Sequence, residues 1–197
     1  MPDENSLETY REKRNFTQTP EPSDDTSAQP HDSEPIFVIQ KHDASRLHYD
    51  FRLEVEGVLK SWAIPKGPSV NPRDKRLAMP TEDHPMSYAN FEGVIPEGQY
   101  GAGPVIVWDT GTYQNNTEIN GKPISAQRAL ENGQFKFYLN GKKLRGGYAL
   151  VLMKKTPDKA WLLIKENDAY ADAERDIVHE EPESALSGRT IEDMTDK

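Results

Sequence analysis

The chain has 197 residues, room for one domain of the usual ~100 to 200 residues, and its 35% hydrophobic against 29% charged content leaves part of it outside any core. It contains no cysteine, which excludes disulfides, thiolate zinc sites, iron–sulfur clusters and a cysteine nucleophile, so any metal must be held by His, Asp or Glu. The net charge of -9 is segregated: residues 1–35 hold 3 basic and 9 acidic residues, residues 166–197 hold 3 and 11, and the stretch between holds 18 and 13, a basic surplus that removes an objection to a phosphate-bearing partner without identifying one.

In chain order, residues 1–15 are charged throughout, unlike a signal peptide, and no stretch approaches the ~20 apolar residues of a membrane span. A soluble cytoplasmic protein, free of the membrane, is the expectation. Leu7, Tyr10 and Arg14 can line one side of a short helix, and the Pro-, Ser- and Asp-rich stretch 17–35 has almost nothing to bury and reads as a mobile linker. Eight short apolar runs follow, at 36–40, 47–55, 58–64, 76–79, 105–108, 135–139, 148–153 and 161–165, separated by Gly, Pro, Asn or Asp. Only 125–132 reads as an internal helix, with Ser125 as N-cap and Gly133 placed to end it. One helix among eight strands excludes parallel βαβ units, and closing the strands on themselves removes exposed edges. Past residue 172 the apolar residues thin out into a loosely held tail. The expected plan is an arm and flexible acidic linker over 1–35, a barrel over 36–170 and an acidic tail over 171–197. The fold class is mainly β: a compact antiparallel barrel of about eight strands with one or two short helices and mobile acidic tails.

The stretch 41–56, KHDASRLHYDFRLEVE, carries most of the chemistry. From Leu47 the alternation is strict, with Leu47, Tyr49, Phe51, Leu53 and Val55 on one face and His48, Asp50, Arg52, Glu54 and Glu56 on the other. A helix would turn Asp50 about 200° from His48. A strand aims His48, Asp50 and Arg52 the same way at intervals of roughly 7 Å. His42 lies just upstream and can fold back over the turn 43–45, so that two imidazoles and a carboxylate converge as a ligand set for Mn, Fe or Zn. Arg52 is then the fork for a phosphate held at that metal. A merely polar outer strand face is the plainer reading of any one of these residues, and it suits Glu54 and Glu56.

Further along, His84 and Tyr88 are four residues apart and can meet across one helical turn or tight loop, as a proton or hydrogen-bond donor and a phenolic donor; the plainer reading is a solvated loop histidine beside a packed tyrosine. The glycine-rich run 95–103 is no phosphate loop, because no Gly-Lys-Ser/Thr follows and the next residues, VIVWD, are strand-like; its glycines suit a tight turn and close backbone packing. Lys66 and Arg76 each border an apolar run and can point along a barrel rim.

FVIQKHDASRLHYDFRLEVEGVLKSWAIPKGPS, EDHPMSYANFEGVIPEGQYGAGPVIVWDTGTY and WLLIKENDAYA together closely resemble the 3′-phosphoesterase domain of bacterial DNA ligase D, over residues 10–170. The resemblance implies a β-barrel and a manganese-dependent enzyme, with Zn or Co as substitutes, that removes a terminal 3′ ribonucleoside and then the 3′-phosphate to leave a 3′-OH for nonhomologous end joining. It implies metal ligands at His42, His48 and Asp50. Around the scissile phosphate it implies Arg52, His84 and Tyr88, with further active-site positions at Lys66, Arg76 and Glu82. YREKRNFTQTPEP resembles the family's arm before the barrel, with Arg14 and Glu21 in place and Asn15 where the family usually has Asp. The implied partners are nucleic acid with 3′ ribonucleotide or 3′-phosphate ends and, in trans, a DNA ligase, a primer-extending polymerase and an end-binding protein. A monomer associated with the nucleoid is expected. Two rivals remain: a non-catalytic barrel that binds nucleic-acid ends, and a non-haem iron oxygenase built on His48, Asp50 and His84.

Overall fold

A computed structural model describes residues 6–23 and 33–195. The arm holds helix α1 (Glu8–Glu12). The strands are β1 (Ile36–Asp43), β2 (Leu47–Val55), β3 (Val58–Ile64), β4 (Lys75–His84), β5 (Gly93–Ile95), β6 (Gly103–Asn115), β7 (Glu118–Ile119), β8 (Lys122–Pro123), β9 (Gln134–Gly141), β10 (Arg145–Leu152) and β11 (Trp161–Lys165). A 3-10 turn, Met86–Asn90, follows β4, and three more short helices are α2 (Ala126–Asn132), α3 (Ile177–Glu180) and α4 (Ile191–Thr195).

The strands run in the order β1, β2, β3, β4, β11, β10, β9, β6, and β6 pairs back onto β1, which closes an eight-stranded antiparallel barrel. The eight expected apolar runs are its eight strands. β5 adds to β6, and β7 and β8 form a separate ribbon. α2 is framed as its sequence requires: the Ser125 hydroxyl accepts from the Arg128 N–H, and Gly133 takes φ 76° to end the helix.

Alternation along the strands sorts side chains into two buried sets. Phe37, Ile39, Tyr49, Phe51, Leu53, Phe137, Tyr148 and Leu150 point into the barrel and form its core with Trp62, Trp108 and Trp161. A second apolar cluster lies outside the wall, where Val38, Leu59, Val105 and Val107 meet Tyr10 of the arm and Tyr88, Ala89 and Phe91.

Two segments differ from expectation. Residues 17–23, read as linker, lie against the barrel with Thr19 and Glu21 buried; the stretch 24–32, the middle of that linker, lies outside the described residues. The acidic tail is not loosely held through 195: Ile177 and Val178 join the barrel core, and Ile191 and Met194 cover Ile106. Its backbone carbonyls are tied down as well, because Trp108 Nε1 and Lys143 Nζ both donate to the Glu181 carbonyl. Sparse apolar residues suffice here because each meets a preformed surface.

Candidate metal centre and phosphate pocket

The β1–β2 hairpin pairs His42 directly with His48 and Gln40 with Asp50. His42 is therefore a strand residue opposite His48, not one folded back over the turn. Each imidazole is fixed by its far nitrogen. His42 Nε2 donates to the Gly101 carbonyl (2.6 Å), and His48 Nδ1 donates to the Arg46 carbonyl (2.9 Å). The opposite nitrogens are then bare in the neutral rings, and both face one oxygen of Asp50, at 3.5 Å for His42 Nδ1 and 3.3 Å for His48 Nε2. Lone pairs turned on one another repel unless a cation or protons come between them. The donor atoms of the three residues lie within 4.8 Å of one another, and two imidazole nitrogens with one carboxylate suit a divalent transition metal. Backbone carbonyls that orient ligating histidines are the usual outer support of such a site.

The charges agree with this. Burial works to raise the Asp50 pKa, but Arg52 and the two imidazoles outweigh it and hold the carboxyl well below its ordinary value. Burial works to lower His48, and the hydrogen bond and charge of Asp50 overcome it and raise that pKa.

Arg52 is 3% exposed and fully anchored. Its Nε donates to Gln40 Oε1 (2.7 Å), its Nη1 to Ser61 Oγ (2.9 Å), and its Nη2 lies 3.5 Å from Asp50. Gln40 is held in turn by donating to the Tyr88 and Phe91 carbonyls. Next to Arg52 stands His84, at the end of β4. Its Nδ1 lies 2.9 Å from the Glu82 carbonyl, which can only accept, and Nε2 lies 3.3 Å from Arg14 Nη2, which can only donate, so the proton sits on Nδ1 and Nε2 accepts; Arg52 Nη1, 3.1 Å from Nδ1, is then a close contact and not a hydrogen bond. Burial, then Arg52 and Arg14, push the His84 pKa well below the ordinary histidine value, so the ring is neutral at pH 7. Tyr88 packs edge-on to His84 with ring centroids 4.6 Å apart and donates its hydroxyl to Glu21 at 2.8 Å; burial, then the Glu21 charge, push its pKa well up, so the phenol stays protonated.

The arm completes the wall. Arg14 Nε donates to Glu21 (2.7 Å) and its Nη1 to Glu82 (3.2 Å), while Lys13 pairs with the other Glu82 oxygen at 3.3 Å. Glu21 is buried behind Arg14 and Tyr88, where it orients them. Asn15 lies outside this pocket: its Oδ1 accepts from the Thr17 N–H and hydroxyl, an acceptor role that an Asp oxygen fills equally well.

A pocket of about 330 Å³ is thus lined by His42, His48, Asp50, Arg52, His84, Tyr88, Glu82 and Arg14. Lys66 and Arg76 are elsewhere, in a separate depression with Arg73, Asp74 and Lys75. His84 is not grouped with the metal-ligand cluster among the described residues, which leaves the iron-oxygenase set without its third ligand. Sequence reasoning missed Gln40, Ser61, Gly101 and Lys13. Gln40 had a signal, since it lies two residues before His42 on the same strand face; Ser61, Gly101 and Lys13 arrive from other segments and had none.

The profile of the DNA ligase D 3′-phosphoesterase domain matches residues 40–152, more than half of the chain. The chain belongs to this family. Among curated relatives, the multifunctional non-homologous end joining protein LigD of Pseudomonas aeruginosa is 46% identical over 195 residues, 97% of this chain and 22% of the relative. The LigD proteins of Mycobacterium tuberculosis and Mycolicibacterium smegmatis are 44% and 42% identical over 79% and 82% of the chain. The chain thus spans about a fifth of the length of these relatives. The profile match opens at Gln40 and takes in the metal cluster, Arg52, His84 and Tyr88, whereas Arg14 and Glu21 of the arm lie outside it.

Proposed function

We propose that the chain is a metal-dependent 3′-phosphoesterase acting on DNA or RNA–DNA primer ends: it removes a terminal 3′ ribonucleoside, then the 3′-phosphate, leaving a 3′-OH for end joining. The observation that carries this reading is the adjacency of two devices on one strand, a His42–His48–Asp50 ligand set and, two residues on, the buried fork of Arg52 beside His84 and Arg14.

Charge balance argues for a cation. The pocket's cations Lys13, Arg14 and Arg52 are matched by the carboxylates Glu21, Asp50 and Glu82. No surplus is left for an incoming phosphate, and a divalent ion supplies one. A bound Mn²⁺, for which Zn or Co can substitute, would act as a Lewis acid on a phosphate oxygen. The remaining work falls to the chain. Arg52, fixed by Gln40 and Ser61, presents its guanidinium without having to reorganise, and Arg14 supplies a second one from the arm. Neutral His84 spends its one N–H on the Glu82 carbonyl and accepts from Arg14 Nη2, so its part is to aim that guanidinium at the phosphoryl group; two guanidiniums beside it disfavour the imidazolium that an acid role needs. Tyr88 and Glu21 hold Arg14 and His84 in place. Lys66 and Arg76 would meet the nucleic acid away from the reacting phosphate.

The physiological setting proposed is bacterial nonhomologous end joining, with ligase, polymerase and end-binding functions in the same longer chain or in trans, and the phosphoesterase unit monomeric. The test uses primers ending in one ribonucleotide or in a 3′-phosphate, with chelator and with Mn²⁺. Metal-dependent loss of both end groups is expected. Binding of ends without turnover under either condition would leave a non-catalytic end-binding barrel instead.

A further inference from the structure

β11 pairs with β4 only as far as Ala78, which faces Trp161, while β4 runs on to His84. Beyond Ala78 no strand among the described residues pairs with this edge of β4, and α2, which packs on β9, borders the opening. Pro80 sits in this gap, where a residue with no N–H loses nothing. The result is a groove of about 290 Å³ lined by Trp62, Pro80, Thr81, Leu130 and Trp161, with Gln127 and Glu131 of α2 and the Lys60–Asp83 pair at its rim.

Three observations mark it as a binding site. Its apolar lining comes from Trp62, Trp161, Leu130 and Pro80. Trp62 is 4% exposed, and its indole N–H, like the Thr81 hydroxyl, is buried with no hydrogen-bond partner among the described residues. Buried donors without partners are costly, so a ligand bearing acceptors would gain both bonds. Finally, Thr81 lines both this groove and the metal pocket. Arg52, Ser61 and Thr81 stand in one cross-strand row, Arg52 opposite Ser61 and Ser61 opposite Thr81. At ~4.8 Å per strand, the row carries a ligand from the phosphate fork to the groove in about 10 Å.

We infer that the groove holds the base of the nucleoside that departs from the scissile phosphate. This rests on the phosphoesterase reading and adds to it a direction: the groove lies across Arg52 from the metal cluster, so the departing nucleoside takes the groove side and the retained strand the metal side. Only the edges of Trp62 and Trp161 reach the groove, so recognition rests on the two unpartnered donors, with the carboxylates of Asp83 and Glu131 at the rim able to accept from exocyclic amines; ring acceptors are common to all four bases, so the slot accepts any of them.

The test compares a primer whose terminal ribonucleoside carries its base with one whose terminal ribose is abasic, and follows removal of a 3′-phosphate, which has no departing nucleoside, in parallel. With the wild-type chain, the base-bearing end should be trimmed about tenfold faster in kcat/KM than the abasic end. Trp62→Phe, which keeps the ring and removes the donor, should lower the ratio of nucleoside removal to phosphate removal several-fold. Should Trp62→Phe fail to fold, Gln127→Phe fills the groove from the half-exposed helix and should lower the same ratio. Equal trimming of base-bearing and abasic ends by the wild-type chain would overturn the inference and leave the phosphoesterase reading standing. No metal-dependent trimming of any end would overturn both.

Discussion

The barrel interior and the pocket on its outer wall are built from the same strands and are buried to the same degree. Phe51 points inward and is 0% exposed; its neighbours Asp50 and Arg52 point outward and are 6% and 3% exposed. Inside, aromatic surfaces fill space and need only the right volume. Outside, each charged group has named partners, and it is the arm with residues 86–91 that keeps water away. Alternation along a strand therefore assigns side chains to faces, but an outward face is solvated only when nothing lies over it. Stability resides in one face and chemistry in the other, so substitutions one residue apart should have separable effects.

The largest contrast is between Phe51→Ala and Asp50→Asn. The first empties part of the aromatic core and should cost about 3 to 5 kcal/mol, read as a lower urea midpoint. The second keeps shape but removes a ligand charge, and should lower turnover on the order of a thousandfold and strip the metal on dialysis, with a much smaller shift in midpoint. Equal loss of stability in the two would show that the outer wall is structural and not a separate chemical face.

Next comes Arg52→Ala, expected to cost roughly a hundredfold in turnover. Arg52 lies 3.5 Å from Asp50 but is not itself a ligand, and losing its charge removes a repulsion from the ion, so metal binding should stay nearly intact. Metal content measured on both purified variants checks this. If Arg52→Ala loses the ion as completely as Asp50→Asn, the phosphate and metal roles are not separate.

A smaller effect is expected from pH. The neutral His84 refuses a proton that the unfolded chain accepts below its ordinary pKa of 6.5. Above that value the group adds no pH dependence. As pH falls below it, stability should drop by up to about 1.4 kcal/mol per unit. His84→Gln should lack this component, and the difference between variant and parent urea curves at pH 7.5 and 5.5 isolates it, since His48 and Asp50 are common to both. An identical pH dependence in the two would mean that folding leaves the His84 pKa unshifted.

Much of this was legible from one sequence for a physical reason. His42, His48, Asp50 and Arg52 are local to a single hairpin, so strand period alone brings them together. The closed barrel followed from eight short runs and one capped helix. What was not legible depends on contacts distant in sequence. Glu21 and Arg14 entered only through resemblance, because nothing in an acidic Pro-rich arm reveals that it folds over β4. Ile177 and Val178 were passed over as sparse apolar residues in an acidic tail, yet they join the core beside Tyr49 and Trp108. Lys66 and Arg76 were expected near the reacting groups, and the course of β3 and β4 carries them to another depression.

The subtlest test concerns Gly101, which belongs to neither face of a strand yet holds the metal centre in register. It takes φ 72°, and its carbonyl accepts from His42 Nε2 at 2.6 Å. A Cβ there would come within 3.2 Å of His42 Cε1. Gly101→Ala should thus cost about 1 kcal/mol for the left-handed backbone and also press on the imbedded edge of His42. A displaced ring loses the carbonyl that fixes its tautomer, and loss of such support typically weakens metal binding about tenfold. The expected result is a modest fall in urea midpoint with a distinct rise in the metal concentration needed for half-maximal activity. The glycine at 98, also at positive φ but with nothing within 4 Å, is the control: Gly98→Ala should show the backbone cost alone. If the two variants need the same metal concentration, the Gly101 carbonyl does not tune the site, and His42 is held by its strand alone.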